Sequence, residues 1–173
     1  NGSDESGYGL YFYDSSFKVY WWVVTGSAGS DKSVSTVIPY NTWTHIAGTY
    51  DGNTIKIYEN GILISSLPVS GSINYTYTPI DFAIGSYYDN NEDNNLNGLI
   101  DDVRVWNYAR SQNQIASTMR NELKGNETGL IGYWRLNEGS GTNVDDLTSY
   151  GNDGTLINSP YWSSSVPVIA QHD

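Results

Sequence analysis

The sequence predicts an all-β fold, an antiparallel β-sandwich of jelly-roll type with one short α-helix near residues 111–121. Runs rich in β-branched and aromatic residues recur along the chain, and turn signals such as Asp51-Gly52 and Asn60-Gly61 separate them. Fifteen Tyr, six Trp and 18 Gly among 173 residues are typical of a β protein with many turns. Many antiparallel strands joined by short turns favour a sandwich or jelly roll.

The strands follow from these runs in order. Two predicted hairpins lie in the first third of the chain, and the second turns at Asp51-Gly52. Polar loops are expected at 89–95 and 139–151, between the later strands. The predicted strands are residues 8–13, 17–24, 33–38, 43–50, 54–59, 62–67, 80–87, 97–106, 130–136 and 155–158.

Residues 97–111 are expected to begin as a strand and to end at the start of a helix. Alternation places Asp101 on one face of the strand and Asp102 on the other. Ser111 followed by Gln114 predicts a capping box, with a helix over 112–121.

The adjacent Asp101 and Asp102 have two interpretations. A half-buried carboxylate needs a cation or several hydrogen-bond donors. The pair either holds a structural calcium ion or a neighbouring loop, or one member pairs with Arg104 or Arg110. We expect a structural role rather than catalysis. Asp145 and Asp146 are expected to be turn residues, with metal binding as the alternative.

The acidic composition limits the classes of partner. Eight Lys plus Arg against 19 Asp plus Glu give a net charge of −11, which disfavours nucleic acid and anionic membranes. Calcium or a neutral ligand suits such a surface better. The chain has no Cys, and no apolar run is long enough to insert into a membrane as a helix. We expect one domain over residues 1–162 and a polar tail over 163–173.

Several blocks in a fixed order carry a family resemblance. They are the sequences at 43–52 (WTHIAGTYDG), 57–61 (IYENG), 98–111 (GLIDDVRVWNYARS), 129–141 (GLIGYWRLNEGSG) and 151–156 (GNDGTL). In this order they resemble the laminin-G-like, concanavalin-A-like jelly-roll modules of bacterial surface and secreted proteins, of which pentraxins are distant relatives. The resemblance implies a secreted or cell-surface setting. It also implies opening strands before residue 8. Either the chain is a trimmed fragment whose flanking domain or partner chain carries them, or the predicted strands 130–136 and 155–158 pair in their place.

The loop at 89–95 is the predicted calcium site. It offers three carboxylates and four amide side chains, and oxygens of these kinds are the ligands that calcium prefers. The candidate ligands are Asp89, Glu92, Asp93 and Asn94, with Asp101 as a further metal ligand. The pentraxin resemblance implies Asp89 and Asn94 in particular. The alternative is a solvated acidic loop.

Aromatic residues offer a candidate sugar site. Aromatic faces stack on sugar rings while neighbouring amides bond the hydroxyl groups. Tyr87 and Tyr88, with Asn90 beside them, are candidate ligand-binding residues, and core packing is the alternative. Both faces of strand 17–24 are apolar, so Trp21 or Trp22 is expected to be exposed, and Trp22 is a further candidate. For Trp43, Trp106 and Trp134 we expect burial in the core.

These observations favour a non-catalytic extracellular module that binds carbohydrate, with calcium organising its loops. No Ser-His-Asp order, zinc spacing or phosphate loop is present. Glycoside hydrolases of the resembled fold carry two glutamates around an aspartate on one strand, and this sequence contains no such string. The alternatives are a protein–protein, adhesion or spacer module and, less favoured, a glycan-active enzyme.

Overall fold

The computed structural model describes residues 6–13, 17–26, 30–76, 82–88 and 93–167. They divide into two compact units. Unit 1 comprises Asn1–Leu96 and Ala109–Met119, and unit 2 comprises Asn97–Tyr108 and Arg120–Asp173. The sequence-based domain limits, 1–162 with a tail at 163–173, stay a prediction.

Unit 1 contains two three-stranded antiparallel sheets. The first has the order β1-β2-β3, and the second has the order β4-β5-β6. Short turns connect sequence neighbours, as the Asp-Gly and Asn-Gly signals predict: the Asp51 carboxylate accepts the backbone amides of Asn53 and Thr54, and Asn60 has a φ of 48° before Gly61. The six strands are β1 (Tyr8–Tyr13), β2 (Lys18–Val24), β3 (Asp31–Val37), β4 (Ile46–Tyr50), β5 (Thr54–Glu59) and β6 (Ile62–Pro68).

The hydrophobic core of unit 1 joins its two sheets. Alternate residues of β2 contribute Val19, Trp21 and Val23, and β5 contributes Ile55 and Ile57. Their period of two is that of strands with one face against a facing sheet.

Two short strands and one helix complete unit 1. Strand β7 (Ser86–Tyr88) pairs with β8 (Asp93–Asn95). Helix α1 (Gln112–Thr118) starts at the predicted capping box, in which Ser111 accepts the Gln114 amide and the Gln114 side chain accepts the Ser111 amide. Only Ile115 of this helix is buried.

Unit 2 contains two small antiparallel pairs. Strand β9 (Val103–Trp106) pairs with β10 (Leu130–Trp134), and β11 (Asn143–Val144) pairs with β12 (Gly154–Thr155). The predicted fold class is therefore confirmed, because the described strands are antiparallel and are accompanied by a single short helix.

Several predicted boundaries are wrong. The predicted strand 97–106 begins only at Val103, because Asp102 has a φ of 57°, in the left-handed region that strands exclude. The predicted strand 43–50 begins at Ile46. Of the predicted strand 80–87, residues 82–85 do not belong to a strand, and residues 80–81 lie outside the described part of the chain. The predicted loop 89–95 contains β8, and the loop 139–151 contains β11.

The tryptophans divide differently from the prediction. Trp134 is buried at 6% exposure, as expected, whereas Trp43 is 36% exposed and Trp106 is half-buried. The expectation that Trp21 or Trp22 is exposed is wrong, since they are 8% and 7% exposed. Glycines make room for both rings: Gly48 on β4 of the other sheet lies beside Trp21, and Gly9 on the neighbouring strand β1 lies beside Trp22.

Candidate functional site

One end of the β9–β10 pair forms a polar cleft in unit 2. Val103 at the start of β9 lies opposite Trp134 at the end of β10. Because the strands are antiparallel, the residues just before β9 and just after β10 meet at the same sheet end. Asp101 and Asp102 are thereby brought to Arg135 and Asn137.

We call this cavity of about 130 Å³ the Asp101 cleft. Its walls come from four separate parts of the sequence, three of which carry polar groups. They are Asp101, Asp102, Glu122, Tyr133, Arg135 and Asn137, with Val166 and Pro167 at one side. A second cavity of about 320 Å³ shares Arg135 and Asn137 and adds Glu138, Asp145 and Leu147.

Asp102 is held by a two-pronged ion pair. Arg104 donates Nη2 to Asp102 Oδ2 at 2.5 Å and Nε to Oδ1 at 3.1 Å, and Nη2 also donates to the Asn121 carbonyl. Both side chains are nearly buried. Of the two pairings open from the sequence, the one with Arg104 is therefore confirmed; Arg110 instead donates to Thr118 Oγ1 and the Gln114 carbonyl.

Glu122 and Arg135 form the other ion pair of the cleft, with 2.5 Å between Glu122 Oε1 and Arg135 Nη2. Arg135 Nε in the cleft, and Glu138 Oε2 in the second cavity, are buried atoms without a hydrogen-bond partner among the described residues. Buried polar atoms in native proteins are nearly always satisfied by protein, water or ligand. The cleft therefore retains hydrogen-bonding capacity beyond its internal contacts.

Asp101 lies outside both ion pairs. Burial, together with the negative charges of Asp102 and Glu122, raises the pKa of its carboxyl to about 6, against the lowering effects of the Asp102 amide and Arg135. Near neutral pH Asp101 is a carboxylate that gains from any hydroxyl donor or cation entering the cleft.

Asp146 fixes the loop beside the cleft. Its buried carboxylate accepts the amides of Tyr133, Thr148 and Asn152, the Thr148 hydroxyl and the Asn152 side-chain amide. Burial raises the pKa of Asp146, but these hydrogen bonds outweigh burial and hold the pKa below its usual value. The turn prediction for Asp146 missed this role. An Asp two residues before Thr, which is an Asx-turn pattern, was the available signal.

The predicted site residues belong to two different units. Asp101 belongs to unit 2, whereas the segment 87–95 belongs to unit 1. In the backbone pairing, Tyr87 lies opposite Asn94 and Tyr88 lies opposite Asp93. The predicted residues Asp89, Asn90 and Glu92 lie outside the described residues, and Trp22 is buried in β2.

The described part of the chain contains neither a metal-binding cluster of acidic or histidine side chains nor a membrane-spanning helix. Among those residues, no group of three His, Asp or Glu side chains is placed to hold a metal ion. No described helix is both long enough and apolar enough to cross a bilayer. Glu122, Arg135 and Asn137 were not predicted as site residues. Arg135 and Asn137 meet Asp101 only through strand pairing, and Glu122 lies beside them through its ion pair with Arg135.

Residues 1–116 match the family model of the concanavalin A-like lectin/glucanases superfamily. The chain belongs to this superfamily. The predicted resemblance to laminin-G-like, concanavalin-A-like modules is thereby confirmed. No curated protein matches this superfamily member.

Two solved structures are similar to this member of the superfamily. A candidate carbohydrate binding protein from Bacteroides ovatus matches with a TM-score of 0.68 and 23% identity over 92% of this chain and 49% of its own. An S-layer domain-containing protein from Clostridium thermocellum matches with a TM-score of 0.41 and 21% identity, over 66% of this chain and 64% of its own. The chain thus spans about half the length of the first structure, and that likeness supports the fold.

Proposed function

We propose that this chain is a non-catalytic carbohydrate-binding module of a secreted or surface protein, and that the Asp101 cleft holds the sugar. The observation that carries the proposal is the set of hydrogen-bonding groups lining the cleft: the Asp101 carboxylate, the Arg135 guanidinium and the Asn137 amide. A few convergent polar groups in a concave site are what a ligand rich in hydroxyls requires. Membership in a superfamily of lectins and glucanases supports this ligand class.

The state of the carboxylates supports binding rather than hydrolysis. Glycoside hydrolysis usually needs two carboxyl groups that act on opposite sides of one bond. Two of the three carboxylates in the Asp101 cleft, Asp102 and Glu122, are already ion-paired. Release of reducing ends from a polysaccharide, lost in Asp101→Asn, would overturn the non-catalytic part of the proposal.

Binding is tested with a hexasaccharide panel of cellohexaose, laminarihexaose, xylohexaose and mannohexaose. Isothermal titration should give binding of at least one member to the full chain. Asp101→Asn and Asn137→Ala should each weaken that binding roughly tenfold, the effect of losing about 1.4 kcal/mol. The matched control is Asp31→Asn, an exposed carboxylate on β3 of unit 1. Equal loss in the control, or no binding by any member, contradicts the proposal.

We also propose that calcium binds the acidic segment 89–95 through Asp89, Glu92, Asp93 and Asn94, and that Tyr87, Tyr88 and Asn90 contribute further contacts to the carbohydrate. The oxygen-rich side chains and the net charge of −11 support this. Asp101 remains a proposed metal ligand only as a separate, weaker site in unit 2.

Thermal melting in calcium and in chelator tests the ion. For a Kd of about 1 mM, roughly 5 mM calcium should stabilise the native chain by about 1 kcal/mol. The variant Asp89→Asn/Glu92→Gln/Asp93→Asn should lose this gain, and equimolar magnesium should not reproduce it in the wild type. An unchanged melting temperature in chelator would exclude a structural ion.

A protein-interaction module is the second candidate, and β6 favours it. This strand is at the edge of its sheet, and Ile62, Leu63 and Ile64 are 61%, 41% and 48% exposed. Apolar edge strands are sites where another strand can add. Sedimentation of the wild type over a wide concentration range should show self-association if this surface is used. Ile64→Lys should then abolish the association, whereas Ser66→Lys should leave it unchanged.

A further inference from the structure

Residues 163–167 form a short segment that ends in the Asp101 cleft. The segment follows Trp162, whose half-buried indole donates Nε1 to the Gly141 carbonyl at 3.1 Å. Residues 163–165 are exposed serines, and Val166 and Pro167 then line the cleft. We call residues 163–167 the strap.

The chemistry of the strap matches the cleft poorly. Val166 carries no side-chain donor, and Pro167 lacks a backbone N–H, so neither side chain can satisfy the carboxylates around it. Val166 remains 57% exposed where it meets the cleft. Within the strap, the Ser165 amide donates to the Ser163 hydroxyl, a bond that does not tie it to the cleft. The part of the strap that lines the cleft therefore offers no side-chain hydrogen bond to the carboxylates, which makes it displaceable.

We propose that the strap is an autoinhibitory segment, which narrows the Asp101 cleft as part of its wall and moves aside before a glycan can enter. This inference rests on the proposed function of the cleft. When the competent state is only fractionally populated, the apparent dissociation constant rises by the inverse of that fraction. Loosening the strap should thus strengthen binding without adding any contact to the sugar.

Full-length variants test the strap without truncating the chain. Val166→Gly/Pro167→Gly removes the two side chains that line the cleft and frees the backbone. Ser164→Gly is the matched control, because it frees the backbone of the same segment and leaves both lining residues in place. Titration with the hexasaccharide panel and carbon-13 NMR titration of the Asp101 carboxyl are the two readouts.

The double variant should bind its preferred hexasaccharide roughly threefold to tenfold more tightly than the wild type, with the control close to the wild type. The Asp101 midpoint should fall from about 6 toward the usual value of 3.8, since water then reaches the carboxyl. Unchanged or weaker binding, together with an unchanged titration midpoint of the Asp101 carboxyl, would overturn the proposal that the strap is autoinhibitory. A shifted midpoint with no hexasaccharide bound by any variant would support the strap and refute the carbohydrate proposal.

Discussion

At the scale of single residues, two aspartates of unit 2 show how surroundings decide the behaviour of a carboxyl group. Asp146 is enclosed by N–H and O–H donors, whereas Asp101 has the carboxylates of Asp102 and Glu122 nearby. Donors stabilise the ionised form, and burial beside like charges destabilises it. The pKa of Asp146 is therefore lowered and that of Asp101 is raised.

Asp146→Asn should destabilise the protein. An amide supplies one acceptor oxygen where the carboxylate supplies two, so several buried N–H groups lose their partner, at a cost of roughly 3 kcal/mol. Urea unfolding at neutral pH measures the change. Asp145→Asn is the matched control, because Asp145 is the exposed neighbour. Similar losses in both variants would refute the anchoring role.

The lowered pKa of Asp146 also predicts acid sensitivity. A group whose folded pKa lies below its unfolded value of 3.8 contributes stability above that value and loses it as the pH falls through the folded pKa. The difference in the free energy of unfolding between the wild type and Asp146→Asn should therefore become smaller below about pH 4. A constant difference between the two proteins across the acid range would contradict this.

Asp101 should make the stability of the protein depend on pH in the opposite direction. Its folded pKa of about 6 lies above the unfolded value of 3.8, so its contribution is fully present below 3.8 and is lost as the pH rises through 6. Asp101→Asn should match the wild type near pH 4 and melt at a higher temperature near pH 7.5. Melting temperatures measured over this pH range test the prediction, with Asp31→Asn as the control. If the melting temperatures of the wild type and Asp101→Asn change in parallel with pH, the effect is ruled out.

At the scale of secondary-structure elements, close approach of side chain to backbone links β2 with β4. The Trp21 ring lies against Gly48, and its Nε1 donates to the Thr49 carbonyl at 3.1 Å. A glycine inside a strand often marks such an approach. The packing of the two sheets in unit 1 thus depends on an absent side chain as much as on the apolar residues around it.

Gly48→Ala should disrupt this packing. A Cβ at position 48 would overlap the Trp21 ring, and overpacking of a filled core typically costs about 1–3 kcal/mol. Chemical denaturation measures the loss. The control is Gly154→Ala in β12, where the nearest side-chain atom to a new Cβ is Val144 Cβ at 3.6 Å, an ordinary contact. Equal stability of the two variants would show that the sheets adjust to the methyl group.

At the scale of the whole molecule, charge is the dominant feature. A net charge of −11 on 173 residues repels itself in the compact state, and salt screens that repulsion. The melting temperature should rise between about 20 and 300 mM NaCl, where the Debye length shortens from tens of ångströms to a few. Differential scanning calorimetry at neutral pH measures the shift. A melting temperature that falls with salt would mean that ion pairs such as Glu122–Arg135 outweigh the repulsion.

The sequence by itself determined the local structure and the family. The hairpins at Asp51-Gly52 and Asn60-Gly61 and the Ser111–Gln114 capping box depend on residues within a few positions of one another. Turn and cap signals act over that same distance, so they can be read directly. The blocks that carry the superfamily resemblance are likewise local patterns in a fixed order.

Only the tertiary structure decided which of these residues form a site. Alternation alone put Asp101 and Asp102 inside a strand, whereas the left-handed backbone at Asp102 ends that strand and turns it into the wall of a cleft. Arg135 joins that wall through the pairing of β9 with β10, and Glu122 and Pro167 reach it from distant parts of the chain, which no local pattern indicates. In the same way, burial of Trp22 but not of Trp43 depends on what covers each ring. A site assembled from distant segments is a property of packing, and packing is what a single sequence specifies least directly.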